Sequence, residues 1–99
     1  MLKAAFLFIA PEADAKQHRA AVTTPMVELT VVGVKNYEAA CQAAKELVEQ
    51  GIGAIELCGG FGIEGTAAIK KAIPQIPVGV VRFDGHPGLN GKSGDELFK

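Results

Sequence analysis

The chain has 99 residues, of which 48% are hydrophobic and 21% charged, and its formal net charge is −1. A chain of this length forms one domain, here residues 1–99, and its interspersed charges offer no basic patch for nucleic acid or an anionic membrane surface. No apolar run approaches the length that crosses a bilayer, so neither nucleic acid nor a membrane is expected as a partner.

Four segments have the composition of strands. The first is a continuous apolar run that ends at Pro11, and the second is rich in β-branched residues. In chain order these strands are Ala4–Ala10, Met26–Val34, Ala54–Cys58 and Val78–Asp84. Residues 13–21, between the first two strands, fit either a short helix or an ordered loop.

Two helices are predicted between the later strands. Asn36 caps a helix from Tyr37 to Gln50, in which small residues recur at helical spacing. A shorter helix spans Thr66–Ile73 and ends before Pro74. This order predicts an α/β fold with a small, mostly parallel four-stranded sheet, a βαβαβ core and helices packed on it.

The position of the first strand and the end of the chain are less regular. The first strand has no polar alternation, which suits a central place in the sheet. Residues 85–99 are rich in glycine and are expected to form a loop or arm, with a final helical turn at Asp95–Phe98.

A glycine turn follows the third predicted strand. Gly59, Gly60 and Gly62 let a ligand approach bare backbone, and the helix start beyond them offers N–H groups and the positive end of a dipole. We expect a site for a small anion or carboxylate here. The alternative is a tight turn that needs glycine only for its backbone angles.

The spacing from Gly60 to Gly65 also matches the G-x-G-x-x-G motif of dinucleotide sites. However, Glu56 and Cys58 occupy positions where that motif has apolar side chains. Too little chain follows for a complete dinucleotide fold, so no cofactor is expected.

His18, Asp84 and His86 could form a metal site only if the early loop folds over the strand ends. Lone histidines are more often surface or hydrogen-bonded loop residues, so no metal is predicted.

Side-chain alternation along the strands suggests a shared polar face. Glu28, Glu56 and Arg82 lie on three strands that are expected to be parallel, toward their carboxyl ends. Because buried charges are tolerated only when paired, we expect Arg82 to bond Glu28, Glu56 or both. This face fits a polar pocket, a structural ion-pair network or a subunit interface.

Catalytic candidates lie at the same ends of the strands. Cys58 is placed as a thiolate nucleophile would be, and Glu56 lies on the same side of its strand. His86 is a candidate acid or base, and Asp84 and His86 would make polar contacts with a ligand. The sequence leaves open whether the protein is an enzyme.

The cysteines indicate the compartment. Cys41 and Cys58 have the spacing of neither a disulfide scaffold nor a zinc site, which favours reduced thiols in the cytoplasm. The apolar start resembles a signal peptide only weakly, because Glu12 and Asp14 occupy positions where small neutral residues are expected.

Three stretches, Thr24–Val34, Ile55–Gly62 and Pro77–Gly88, resemble a family of short prokaryotic proteins that is labelled as a domain of unknown function. The resemblance covers nearly the whole chain and implies no activity. More distantly, Tyr37–Asp84 looks like a βαβαβ piece of a TIM barrel or of a cysteine-dependent racemase. The chain has too few strands for the barrel, and it has one strand-end cysteine where such racemases use a pair.

Three hypotheses follow. The first is a cytoplasmic, homo-oligomeric protein that binds a small anionic metabolite at the strand ends. Its ligand-binding residues would be Gly59, Gly60, Gly62, Arg82, Asp84 and Glu28. The second is a small enzyme, similar to a racemase or lyase, that uses Cys58 or His86. The third is an assembly module without catalysis, whose polar strand face forms a subunit contact.

Overall fold

The computed structural model describes residues 1–83 and 86–99. These residues form five strands: β1 (Leu2–Ile9), β2 (Arg19–Thr23), β3 (Val27–Val34), β4 (Ala54–Leu57) and β5 (Val78–Val80). The helices are α1 (Tyr37–Glu49), α2 (Ile63–Ala72) and α3 (Gly94–Leu97), with a 3₁₀ turn at Pro87–Leu89. The strands form one sheet in the order β2-β3-β1-β4-β5.

The parallel part of the sheet agrees with the sequence. β1 pairs in parallel with β3 on one side and with β4 on the other, and β4 pairs in parallel with β5. The predicted central position of the first strand is confirmed. β1 is paired along both edges, but in residues 1–83 and 86–99 the core covers only one of its faces, so its continuous apolar sequence leaves Phe6 and Phe8 on the other.

The prediction of a four-stranded, mostly parallel sheet is wrong in one respect. Residues 19–23 form β2, which is antiparallel to β3 at the edge, so the sheet has five strands and is mixed. All five residues of β2 are exposed, so the strand carries no core pattern in its sequence. The Thr24 hydroxyl stabilises the turn into β3 by accepting the Val27 N–H at 3.0 Å.

The helices follow the sequence signals closely. The Asn36 side chain accepts the Ala39 N–H at 2.8 Å, as expected of the residue that caps α1. α2 begins at Ile63 rather than Thr66, and β5 ends at Val80 rather than Asp84. The predicted final helical turn is confirmed as α3. Residues 86–99, which contain α3, are called the C-terminal segment below.

The hydrophobic core lies between the helices and one face of the sheet, called the inner face. The sheet contributes Leu7, Val32 and Leu57, which are completely buried. α1 and α2 contact each other over this face, and α1 contributes a row of small residues that allows close packing. The buried residues of the two helices are Tyr37, Ala40, Ala43, Ala44, Leu47, Gly65 and Ile69.

The opposite face of the sheet, called the outer face, has no helix on it in the described chain. Its residues follow from the strand register, because partners across strands point to the same side. They are Leu2, Ala4, Phe6 and Phe8 of β1, Ala20 and Val22 of β2, Val27, Leu29, Val31 and Gly33 of β3, Ala54 and Glu56 of β4, and Gly79 of β5.

Candidate functional site

The carboxyl end of β4 runs into a turn that leads directly into α2. Its residues Gly59, Gly60 and Gly62 are buried. A side chain has no room here: an added Cβ on Gly60 would lie 2.7 Å from Ile9 Cγ2, and one on Gly62 would overlap the Asp95 carboxylate. These glycines are therefore required by close packing of the turn against its neighbours.

The N-terminus of α2 is occupied by a carboxylate of the same chain. Asp95, in α3, accepts the Glu64 N–H at 3.1 Å and the Gly65 N–H at 3.2 Å. It also accepts the Tyr37 hydroxyl proton at 2.8 Å, and that hydroxyl oxygen accepts the Gly62 N–H at 2.9 Å. The helix start for which the sequence suggests an anion thus holds an internal one.

The protonation equilibria of this pair follow from its surroundings. Partial burial acts to raise the pKa of Asp95, but the hydrogen bonds from Glu64 N–H, Tyr37 and Gly65 N–H outweigh it, and the net pKa lies below its ordinary value. Burial, together with the bond to Asp95 and its charge, raises the pKa of Tyr37 to about 12. Both shifts favour ionised Asp95 beside neutral Tyr37.

Sequence reasoning missed this pair. Tyr37 is 8% exposed, and its ring stacks on Phe61 with centroids 5.7 Å apart, which holds its hydroxyl over the glycine turn. The available signal was the order Ser93, Gly94, Asp95, Glu96, a capping box that marks a helix start. That signal predicts α3 but does not indicate that Asp95 reaches α2.

Cys58 directly follows β4 and lies beside the carboxyl end of β1. Because β1 leads toward β2 and β3 on one side and β4 leads toward β5 on the other, the gap between the carboxyl ends of β1 and β4 is a topological switch point. The half-buried Sγ of Cys58 accepts the Ile9 N–H at 3.4 Å and the Gly60 N–H at 3.3 Å.

The expected polar face of Glu28, Glu56 and Arg82 is not formed. Glu28 pairs with Lys3, whereas Glu56 pairs with Phe6, and these two positions of β1 point to opposite faces. Alternation assigns a face within one strand, but only the hydrogen-bonded register relates one strand to the next.

The prediction that Arg82 bonds one or both glutamates is also wrong. Its Nη1 donates to the Phe61 carbonyl oxygen in the glycine turn. Within residues 1–83 and 86–99 the ion pair is a different one, between Lys99 and Glu64 at 2.7 Å on the surface. Arg82 therefore joins the end of β5 to the start of α2.

The remaining strand-end candidates lie beyond β5. His86 Nδ1 accepts the Gly88 N–H at 3.0 Å, and its ring meets Phe83 edge-on with centroids 4.9 Å apart. Phe83 in turn covers Gly59, where an added Cβ would overlap the phenyl ring. His86 is thus connected to the glycine turn through Phe83. Asp84 lies outside the described residues.

A groove of about 730 Å³ runs along the seam between α2 and β5. Arg82 lies at its carboxyl end, beside the glycine turn. Lys70 lies at the other end, where its Nζ donates to the Pro74 and Ile76 carbonyls at 3.1 and 2.8 Å. The remaining walls are mainly apolar and comprise Ile63, Thr66, Ala67, Pro77, Val78 and Val80.

In residues 1–83 and 86–99, no three histidine, cysteine or acidic side chains lie close enough together to hold a metal ion. None of the helices in the same ranges is both long and apolar enough to cross a membrane.

Comparison with known proteins gives one match. A family model described as "Family of unknown function (DUF6506)" matches residues 2–96. No curated protein and no solved structure matches the chain.

Proposed function

Because the chain belongs to this family of unknown function, DUF6506, its function has to be inferred from its own surface, and we propose that it binds a small amphipathic carboxylate in the groove between α2 and β5. The observation that carries the proposal is a mainly apolar groove of about 730 Å³ with a guanidinium at one end. Small-molecule sites commonly measure about 300–1,000 Å³ and combine apolar walls with a few polar groups.

The walls of the groove account for the apolar part of the ligand. β5 is an edge strand, and its inner-face residues Val78 and Val80 are only half covered. Across the groove, Ile63 at the start of α2 is 71% exposed. A short hydrocarbon chain laid between them would remove apolar surface from water, at about 25 cal/mol for each Å² buried.

Arg82 accounts for the charged part. A guanidinium has five N–H donors in a planar fork, and a carboxylate pairs with two of them. The bond from Nη1 to the Phe61 carbonyl holds this fork at the carboxyl end of the groove. This retains the anionic ligand and the role of Arg82 inferred from the sequence, but moves the ligand from the helix N-terminus, where Asp95 lies, to the neighbouring seam.

Binding of octanoate tests this proposal. We expect its addition to shift the NMR signals of residues lining the groove, and octanamide, which lacks the charge, to bind about tenfold more weakly. Arg82→Gln should weaken octanoate binding by a similar factor, since hydrogen bonds to charged groups contribute about 1.5–3 kcal/mol. Ala67→Phe should block the groove without a change of charge.

Arg19 provides the matched control. It is the other arginine of the chain, and its Nε donates to the Ala15 carbonyl at 2.8 Å, away from the groove. Arg19→Gln should leave octanoate binding unchanged. Equal binding of acid and amide, or signal shifts confined to other surfaces, would count against the proposal.

A second candidate function rests on Cys58. We propose that its thiolate acts as a nucleophile, because two backbone N–H groups point at Sγ and the residue lies at the switch point, where α/β sheets place their ligands. Cys41 is also half-buried, but its Sγ donates to the Ala68 carbonyl, and burial raises the pKa of its thiol.

Alkylation rates distinguish the two thiols. We expect iodoacetamide to modify Cys58 at least tenfold faster than Cys41 in the folded protein, because burial raises the pKa of the Cys41 thiol and so lowers its reactive thiolate fraction. Mass spectrometry of peptides from the parent chain, with Cys41→Ser and Cys58→Ser as single-thiol controls, measures both rates. A Cys58 that reacts no faster than Cys41, or only after unfolding, would exclude the nucleophile.

A further inference from the structure

The outer face of the sheet has the composition of a covered surface. Half-buried Phe6, Phe8, Leu29 and Val31 lie on its two longest strands, and Val22 on the edge strand is 60% exposed. In the described chain none of these five belongs to the hydrophobic core or packs against it. Their burial is therefore incomplete in a single copy.

On the edge strand β2, the polar and apolar side chains lie on the opposite sides from those expected of a strand with one solvated face. The helices lie on the inner side, yet there β2 carries the polar residues Arg19 and Thr23. Toward the outer side, where the described chain has no helix, it carries Ala20 and Val22. An antiparallel strand with one solvated face places its polar residues on that face. The pattern thus marks the outer side as the one to be covered.

We propose that the outer face binds a second copy of this chain, sheet against sheet, in a twofold dimer. Two twisted sheets pack face to face about 10 Å apart with their side chains interdigitated. A twofold interface uses the same patch on both subunits, so a flat apolar face meets a surface of its own kind. Gly33 favours this flatness: the Phe8 ring lies over it, 2.6 Å from where a Cβ would be.

The area is sufficient for such a dimer. The five strands contain 28 residues. At about 3.3 Å rise and about 4.8 Å spacing they cover roughly 440 Å² in projection. Two copies give roughly 900 Å², and the exposed side chain of Val81, which adjoins this area beyond β5, brings the total close to the roughly 1,000 Å² that a specific interface needs.

The charge of the outer face argues against a lipid surface as the occupant. Among its strand residues the charged one is Glu56, which is acidic. Interfacial membrane binding relies on lysine and arginine around the apolar face to attract anionic lipid. A partner sheet whose outer-face strand residues are uncharged apart from Glu56 requires no such residues, and Glu56 lies on β4, away from β2 and β3.

Sedimentation equilibrium of the full chain tests the dimer. We expect the unmodified protein to have twice the mass of one chain at micromolar concentration. Leu29→Glu, on a long strand, and Val22→Glu, at the edge, should each raise the dimer dissociation constant at least tenfold, because each would bury an unpaired carboxylate. Circular dichroism of both variants establishes that the sheet persists.

Ile63→Glu is the matched control, since Ile63 is an equally apolar exposed residue on α2, outside the outer face. It should leave the dimer intact. A monomeric parent chain, or Leu29→Glu and Val22→Glu variants that both dimerise normally, would overturn the proposal. A monomeric parent chain that binds vesicles of neutral phosphatidylcholine would assign the face to lipid instead.

Discussion

Gly94→Ala is expected to release the C-terminal segment from the glycine turn. A Cβ at Gly94 would overlap the Gly60 carbonyl oxygen and would lie 3.0 Å from the Tyr37 hydroxyl. The Gly60 oxygen belongs to buried backbone and has nowhere to move, so relief requires α3 to shift. Overpacking of this kind costs about 1–3 kcal/mol, and the shift would also withdraw Asp95 from α2.

Urea unfolding followed by circular dichroism measures this loss. Hydrogen exchange should show faster exchange in residues 86–99 and at the Glu64 and Gly65 amides. Gly79→Ala is the matched control, because no atom lies within 4 Å of a Cβ at that position. It should change stability by a few tenths of a kcal/mol. Equal stability of the two variants would show that Gly94 is not tightly packed.

The second large effect is the titration of Tyr37. It is the single tyrosine in a chain without tryptophan, so its absorbance reports it alone. We expect it to ionise at a pKa of about 12 in the folded protein, above the ordinary value of 10.0. Since the bond to Asp95 and its charge contribute to this rise, Asp95→Asn should lower the pKa of Tyr37, while burial keeps it above 10.0.

Both shifts add stability to the folded protein, and each contribution is lost at a different end of the pH range. The raised pKa of Tyr37 adds stability that is fully present below pH 10 and is lost as pH rises toward 12. The lowered pKa of Asp95 adds stability that is present above its ordinary 3.8 and is lost as pH falls through the lower folded value.

Thermal unfolding as a function of pH tests the acid end. Asp95→Asn should flatten the fall in stability at low pH relative to the parent chain. Glu49→Gln replaces an exposed carboxyl at the end of α1 and serves as the control, for which the acid limb should keep its shape. A parent-like acid limb in Asp95→Asn would show that the Asp95 carboxylate is not held as described.

Sequence signals correctly predicted the elements whose formation depends on neighbouring residues. The cap at Asn36 and the spacing of small residues predicted α1 to within one residue of its end. The apolar run before Pro11 predicted both the existence and the central place of β1. The sequence did not predict β2, because an exposed edge strand is held by backbone hydrogen bonds to its neighbour and needs no core pattern.

The glycine turn shows what local sequence signals cannot predict, namely which group binds the N–H groups of the helix start. Its glycines and the following helix start were visible in the sequence, and they suggested an anion. What the N–H groups bind is Asp95, about 30 residues further along the chain. The residues around Asp95 predict that it lies in a short helix. They cannot predict that it bonds to α2, because that contact depends on how the C-terminal segment folds back.

The amino-acid sequence alone determined the α/β class, the strands and helices of the βαβαβ unit, and the need for glycine after β4. Only the tertiary structure decided that Glu28 and Glu56 point to opposite faces, that Asp95 fills the helix start, and that no helix of the described residues covers the outer face of the sheet. The reason is physical: side-chain period and backbone propensity act over a few neighbouring residues, whereas register and docking are set by contacts between distant parts of the chain.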